Sequence, residues 1–418
     1  MRNRRLTALL LAGTAALALV QQPSVGMAAA VRVAQQDTLA SRGKKEKKKK
    51  AAENGTRPDS PSQRSAGDSA KGPKSKTRAP GDRSKVIKDS SEAEGRALFA
   101  SRAVLPFTLI ANFDAIARNR DSTSTTSYAG TLVVPDSAGA ERRIPVQLRT
   151  RGHYRLLRST CKFVNLLVRF PDKGAATDGT PFAGQKSLKL GSHCQDDRRY
   201  DQLLRREYLA YSILRTVTPH GFRARLATGT YIDSAKSRTI GPRVAMWIES
   251  ENDMAKRQAG QLRDFRRALF DDMDATTLDQ MAIFEYLIGN TDWSIYALHN
   301  VRIVVTDSSG VYPIPYDFDF SGLVNAPYAI PAPQLRIRTV RDRLFRGPCR
   351  PWEWIAPTIS KFAGLRREIM SRVAEVPDLE GNEARDINDY LSAFFEVVDD
   401  PRQAKEVFVG GCLKQPGA

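Results

Sequence analysis

Hydrophobic and polar positions alternate differently in the two halves of the chain beyond residue 95. In the first half the period is two. Ile144, Val146 and Leu148 alternate with polar neighbours, as a half-buried strand requires. Strands are predicted at Ala103–Asn112, Ala129–Val134, Arg143–Arg149, Lys162–Phe170 and Ser187–Leu190, with two more at Ala224–Tyr231 and Arg243–Ile248. One helix interrupts them, from about Asp201 to Thr216. Its broad apolar face includes Leu203, Leu204, Tyr208, Tyr211, Ile213 and Leu214, and Pro219 and Gly221 end it. Past Glu249 the pattern changes. Leu278, Met281, Phe284, Leu287 and Ile288 recur at steps of about three and line one side of a helix over Thr276–Ile288, capped by Thr276 or Thr277. Short strands follow at Val301–Val305 and Val311–Pro315, then helices at Trp352–Val376, Leu379–Val397 and Pro401–Val409.

The first 95 residues show neither period. Arg2, Arg4 and Arg5 precede an apolar run from Leu6 to Val20 and then Ala28–Ala30. This is the layout of a secretory signal peptide over residues 1–30. The run is roughly 15 residues, short against the about 20 a membrane span needs. Residues 31–95 are polar and biased, with the run KKEKKKK at Lys44–Lys50, and read as a disordered basic linker. Of the formal net charge of +19, the signal region holds +3 and the linker +8. Over half of the basic excess therefore lies outside the folded part. After an export signal, the expected partner of such a run is an anionic envelope surface, not nucleic acid. The expected location is the periplasm, the cell surface or the medium. Four cysteines, Cys161, Cys194, Cys349 and Cys412, allow two disulfides in three pairings; a Cys161–Cys194 bridge is compatible with their neighbouring strands.

Candidate chemistry concentrates in two segments, GNTDWSIYALHN (Gly289–Asn300) and YPIPYDFDFSG (Tyr312–Gly322). They place Asp292, Asn300, Asp317 and Asp319 on loops flanking short apolar strands. Carboxylates and an amide are the hard oxygen ligands that Mg²⁺ or Mn²⁺ takes beside substrate phosphates. These segments, with RTRGHYR at Arg149, CKFVNLLVRF at Cys161 and LLRREYLAYSIL at Leu203, resemble the CotH kinase-like proteins over about residues 149–322. The resemblance implies an α+β, two-lobed protein-kinase-like fold. A strand-rich N-lobe with one helix would span 96–249 and a helix-rich C-lobe 250–418. It also implies an atypical kinase or phosphotransferase that moves a phosphoryl or nucleotidyl group from ATP or another nucleotide to an acceptor. By the order of the motifs, Asp292 would be the catalytic aspartate; Asn300, Asp317 and Asp319 would hold metal; and Lys189, paired with Glu207, would touch the donor phosphates. Arg151 is an alternative phosphate contact, and Lys162 and Lys186 compete with Lys189. The chain departs from the kinase pattern in having no Gly-rich loop near Ala103–Val134 and no HRD, and in placing Asn300 further from Asp292 than the usual about five positions. Two rival readings are a catalytically inactive envelope scaffold and a glycosyltransferase using Asp317-Phe318-Asp319 as a DxD metal site, the latter requiring a Rossmann-like parallel sheet.

Overall fold

A computed structural model describes residues 80–414, apart from 171–175 and 266. The signal-peptide reading and most of the expected linker fall outside these residues. The linker's last part does not: Pro80–Glu94 form a helix, α1. Its end is fastened where the Arg223 guanidinium donates to the carbonyls of Ala93 and Glu94.

Seven strands follow in the first half: β1 (Leu105–Ala111), β2 (Tyr128–Pro135), β3 (Glu141–Arg151), β4 (Asn165–Arg169), β5 (Ser187–Gly191), β6 (Ala224–Asp233) and β7 (Arg238–Ile248). A short helix α2 (Phe113–Arg118) follows β1, and α3 (Arg199–Val217) joins β5 to β6. Antiparallel neighbours run β1-β2-β3-β4-β5-β7-β6, and β6 then pairs with β1 in parallel, so the sheet closes on itself. This overturns the expected two-lobed kinase-like fold, because its strand-rich half is a closed mixed barrel. The cause is the parallel register Leu105↔Ala227 through Ala111↔Asp233. Closure leaves neither β1 nor β6 as an edge.

Side-chain alternation then sorts the core. Leu105, Phe107, Leu109, Ile144, Val146, Leu148, Leu166, Val168, Leu188, Leu190 and Trp247 fill the barrel. Leu226, Met246 and Ile248 point the other way, into a second core built around α3 and the helices that follow. β7 is thus apolar on both faces at its end, which explains the unbroken run Val244–Ile248.

The remaining elements are α4 (Glu251–Arg257), β8 (Gly260–Arg263), α5 (Ala275–Ile288), β9 (Val301–Thr306), β10 (Val311–Pro315), α6 (Trp352–Gly364), α7 (Arg366–Ala374), α8 (Gly381–Asp399) and α9 (Pro401–Lys405). Strands β8, β9 and β10 make a small antiparallel sheet. The cap of α5 is Asp274, whose carboxylate accepts from the Thr277 amide, in place of the expected threonines. α5 is buried all round, not on one side alone. All four cysteines pair, as Cys161–Cys194 and Cys349–Cys412. Among the described residues no helix is long and apolar enough to cross a membrane.

Candidate functional site

α5 ends at Gly289, whose φ of 65° is the left-handed turn that glycine adopts without strain. The chain then folds back over its own helix. The Asn290 amide donates to the Glu285 carbonyl at 2.8 Å, and the Asn290 side-chain oxygen accepts from the Asp292 amide at 3.0 Å. Ser294 and His299 bridge the loop through two backbone hydrogen bonds of 3.0 and 2.9 Å. That bridge absorbs the extra residues between Asp292 and Asn300. Despite the eight-residue step, the Asn300 amide group donates to the Asp292 backbone oxygen at 2.8 Å and to Oδ2 at 3.0 Å. His299 Nε2 stands 2.9 Å from Asp292 Oδ1, and this hydrogen bond raises the imidazole's pKa.

The second acidic loop reaches the first through backbone pairing. β10 lies on β9, and beyond it the Tyr316 amide donates to the Asn300 carbonyl at 3.0 Å. Asp317 follows with φ 65° and donates its amide to the Tyr211 hydroxyl oxygen at 3.1 Å. Phe318 anchors the turn, buried against Tyr211 and Phe284 with ring centroids 4.7 and 5.4 Å away. The half-buried Asp317 carboxylate has no hydrogen-bond or ion-pair partner among the described residues. Its charge nonetheless acts on its surroundings, helping to raise the pKa values of Glu207, Tyr211 and His299.

Asp319 turns inward. Arg155, buried and charged, donates Nε to Asp319 Oδ2 at 2.8 Å and Nη2 to Glu207 Oε2 at 2.9 Å. The Tyr328 hydroxyl donates to Asp319 Oδ2 at 3.1 Å. Burial pushes the Asp319 carboxyl up to about 7 and raises Glu207 as well. One guanidinium thus serves two desolvated carboxyls.

Glu207 therefore does not pair with Lys189, as expected, but with Arg155. Lys189 on β5 instead meets Glu251, at the start of α4, with Nζ 2.8 Å from Oε1. The same carboxylate takes Arg302 of β9 at 3.2 Å. Both cations face the Tyr316 ring, at 4.5 Å for Lys189 and 4.6 Å for Arg302. Burial first, then the positive charge of Arg151, lowers Lys189 to about 8. Arg151, at the end of β3, has no ion-pair partner among the described residues. Lys162 is engaged in an exposed pair with Asp196 at 2.7 Å and Lys186 is exposed, whereas Lys189 lies against Tyr316, the neighbour of Asp317.

Sequence reasoning missed Arg155, Tyr328, Glu251, Arg302 and Arg346. Only Arg155 had a signal, as the last residue of RTRGHYR. Among the described residues no three His, Cys, Asp or Glu side chains are grouped to hold a metal ion. An all-protein cage is therefore not formed there. The unpaired Asp317 carboxylate and the Asn300 amide oxygen suit Mg²⁺ or Mn²⁺ taking most of its ligands from phosphate and water. Asp319, committed to Arg155 and Tyr328, fits that donor set poorly. No protein-family model and no characterised protein matches the chain.

Proposed function

We propose that this chain binds ATP or another nucleotide, together with Mg²⁺ or Mn²⁺, beside the acidic loops and transfers a phosphoryl or nucleotidyl group to an acceptor hydroxyl. The observation that carries the reading is the unpaired Asp317 carboxylate, next to the hydrogen-bonded Asp292–Asn300 pair and within electrostatic reach of groups that also sense Arg151. Arg151 and Lys189 hold the donor phosphates; a guanidinium without a protein partner is free to grip two phosphate oxygens. Asp292, fixed by Asn300 and His299, orients the acceptor hydroxyl and takes up its proton as the oxygen attacks phosphorus and the bond to the leaving phosphate breaks. Asp317 and Asn300 hold the cation, which when bound neutralises phosphate charge. The resemblance of the motif order to CotH kinase-like proteins points to the same roles.

The proposal includes export to an oxidising compartment, which two disulfides using every cysteine favour. The basic stretch before the folded part would then lie against an anionic envelope surface. The scaffold reading draws its support from Lys189 and Asp319 being tied to protein partners, Glu251 and Arg155. The glycosyltransferase reading loses its footing, since the small sheet β8–β10 leading to Asp317 is antiparallel and Asp319 is buried in an ion pair.

Titration calorimetry with Mn²⁺ and either ATP or a UDP-sugar separates these readings. The expected result is metal-dependent binding of ATP, weakened at least about tenfold in Asp317→Ala, equivalent to about 1.4 kcal/mol. An absence of binding by the wild type, or equal binding by the variant, counts against the nucleotide reading.

A further inference from the structure

A string of arginines lies C-terminal to the segment that resembles the kinase-like family. Arg341 donates to the Gly322 carbonyl at 3.1 Å, just past the Asp317 loop, and pairs with Asp386. Arg343 reaches the Leu287 carbonyl at 3.2 Å, an acceptor that the end of α5 leaves open. Arg346 Nη1 donates to the Thr291 carbonyl at 2.5 Å and lies 3.4 Å from the Trp293 carbonyl. These two carbonyls flank Asp292. Arg346 is half-buried and has no carboxylate partner among the described residues.

The backbone carrying Arg346 is itself fixed. Phe345 is buried against Phe408, with ring centroids 5.1 Å apart. The Leu413 amide donates to the Gly347 carbonyl at 2.9 Å, and Cys349 is bonded to Cys412. From the opposite side, Asn290 holds the Asp292 amide, and Asn290 is in turn held by the end of α5. The Asp292 turn is therefore gripped from two directions, by α5 and by a guanidinium from a remote part of the chain.

We propose that Arg346 is a positioning residue for Asp292. It fixes the two peptide units around that aspartate so that the carboxylate faces the acceptor, while making no contact with donor or acceptor. The inference rests on the phosphotransfer reading for its consequence in catalysis, but the fixing of the loop is testable without it. Both bonds come from one nitrogen, Nη1, whose two protons lie in the rigid guanidinium plane, whereas an ammonium on a flexible stem holds no such fixed directions.

The test compares full-length wild type with Arg346→Gln, Arg346→Lys and Arg350→Gln. Arg350 belongs to the same segment but pairs with Asp279 near the start of α5. Amide hydrogen exchange over residues 289–300 is read first. The expected result is at least about tenfold faster exchange at Asp292 and His299 in Arg346→Gln, an intermediate change in Arg346→Lys, and none in Arg350→Gln. Turnover of ATP with Mn²⁺ and water as acceptor is read second. There kcat of Arg346→Gln should fall at least about tenfold while the Kd for ATP with Mn²⁺ stays within about twofold. Unchanged exchange in Arg346→Gln, or equal loosening in Arg350→Gln, overturns the proposal. So does faster exchange with unchanged kcat in an active protein. If the wild type turns over no ATP, the phosphotransfer reading fails, and the exchange arm alone decides whether Arg346 fixes Asp292.

Discussion

Lys189 shows how burial and charged neighbours set one side chain's chemistry. Burial and the nearby Arg151 charge bring its pKa to about 8, against the pull of Glu251. The folded chain then releases this proton at lower pH than the unfolded chain, whose lysine titrates at about 10.4. Between those values the unfolded state binds the extra proton, so this residue alone makes stability rise with pH through that window. Binding runs the other way, since a neutral amine attracts phosphate weakly. Affinity for ATP with Mn²⁺ should hold below about pH 7.5 and fall above about pH 8, at up to about tenfold per pH unit. Lys189→Met should abolish that alkaline limb, and calorimetry across pH 6.5–9.5 reads both. The charge of Lys189 was legible in the sequence, but its partner was not. Glu207 follows it on the next helix, whereas Glu251 comes 62 positions later. Likewise Asp319 reads as a second ligand in the DFD triplet, and only burial beside Arg155 reveals its other commitment.

At the scale of elements, local pattern served well wherever the cause was local. Strand β10 lies at the residues the alternation marks, and α3 and α5 differ from expectation by two residues or fewer at either end. The expected long helix over Trp352–Val376 is instead two, α6 and α7, meeting at Leu365. Short elements such as α4 and β8 left no periodic trace, being seven and four residues long. The junction of α5 with the Asp292 loop is the most constrained of these. Gly289 has a left-handed φ, and a Cβ there would strike the Tyr390 hydroxyl. Gly289→Ala therefore meets both a conformational and a steric cost, and should lower stability by about 2 kcal/mol or more. Urea denaturation checks this, with Gly364→Ala as the control, because a Cβ at that position has open space.

For the whole molecule, the feature hidden from the sequence is how the barrel shuts. Residues 105–111 pair with residues 227–233, and nothing in either stretch names the other. A seam between such distant segments cannot be read from periodicity, because alternation fixes which face is buried and not which neighbour lies alongside. The kinase-like expectation failed at this point, although the acidic loops it pointed to do converge. The seam has a practical consequence for anyone cutting the gene. A fragment begun after residue 111 would lack the stave that joins the first and last hoops, and would present β2 and β6 as bare ribbons ready to stitch onto other molecules. Such a piece should sediment as aggregates where the chain begun at residue 80 runs as a discrete species. Truncation from the amino-terminal side should therefore stop short of β1, whose pairing with β6 shuts the barrel.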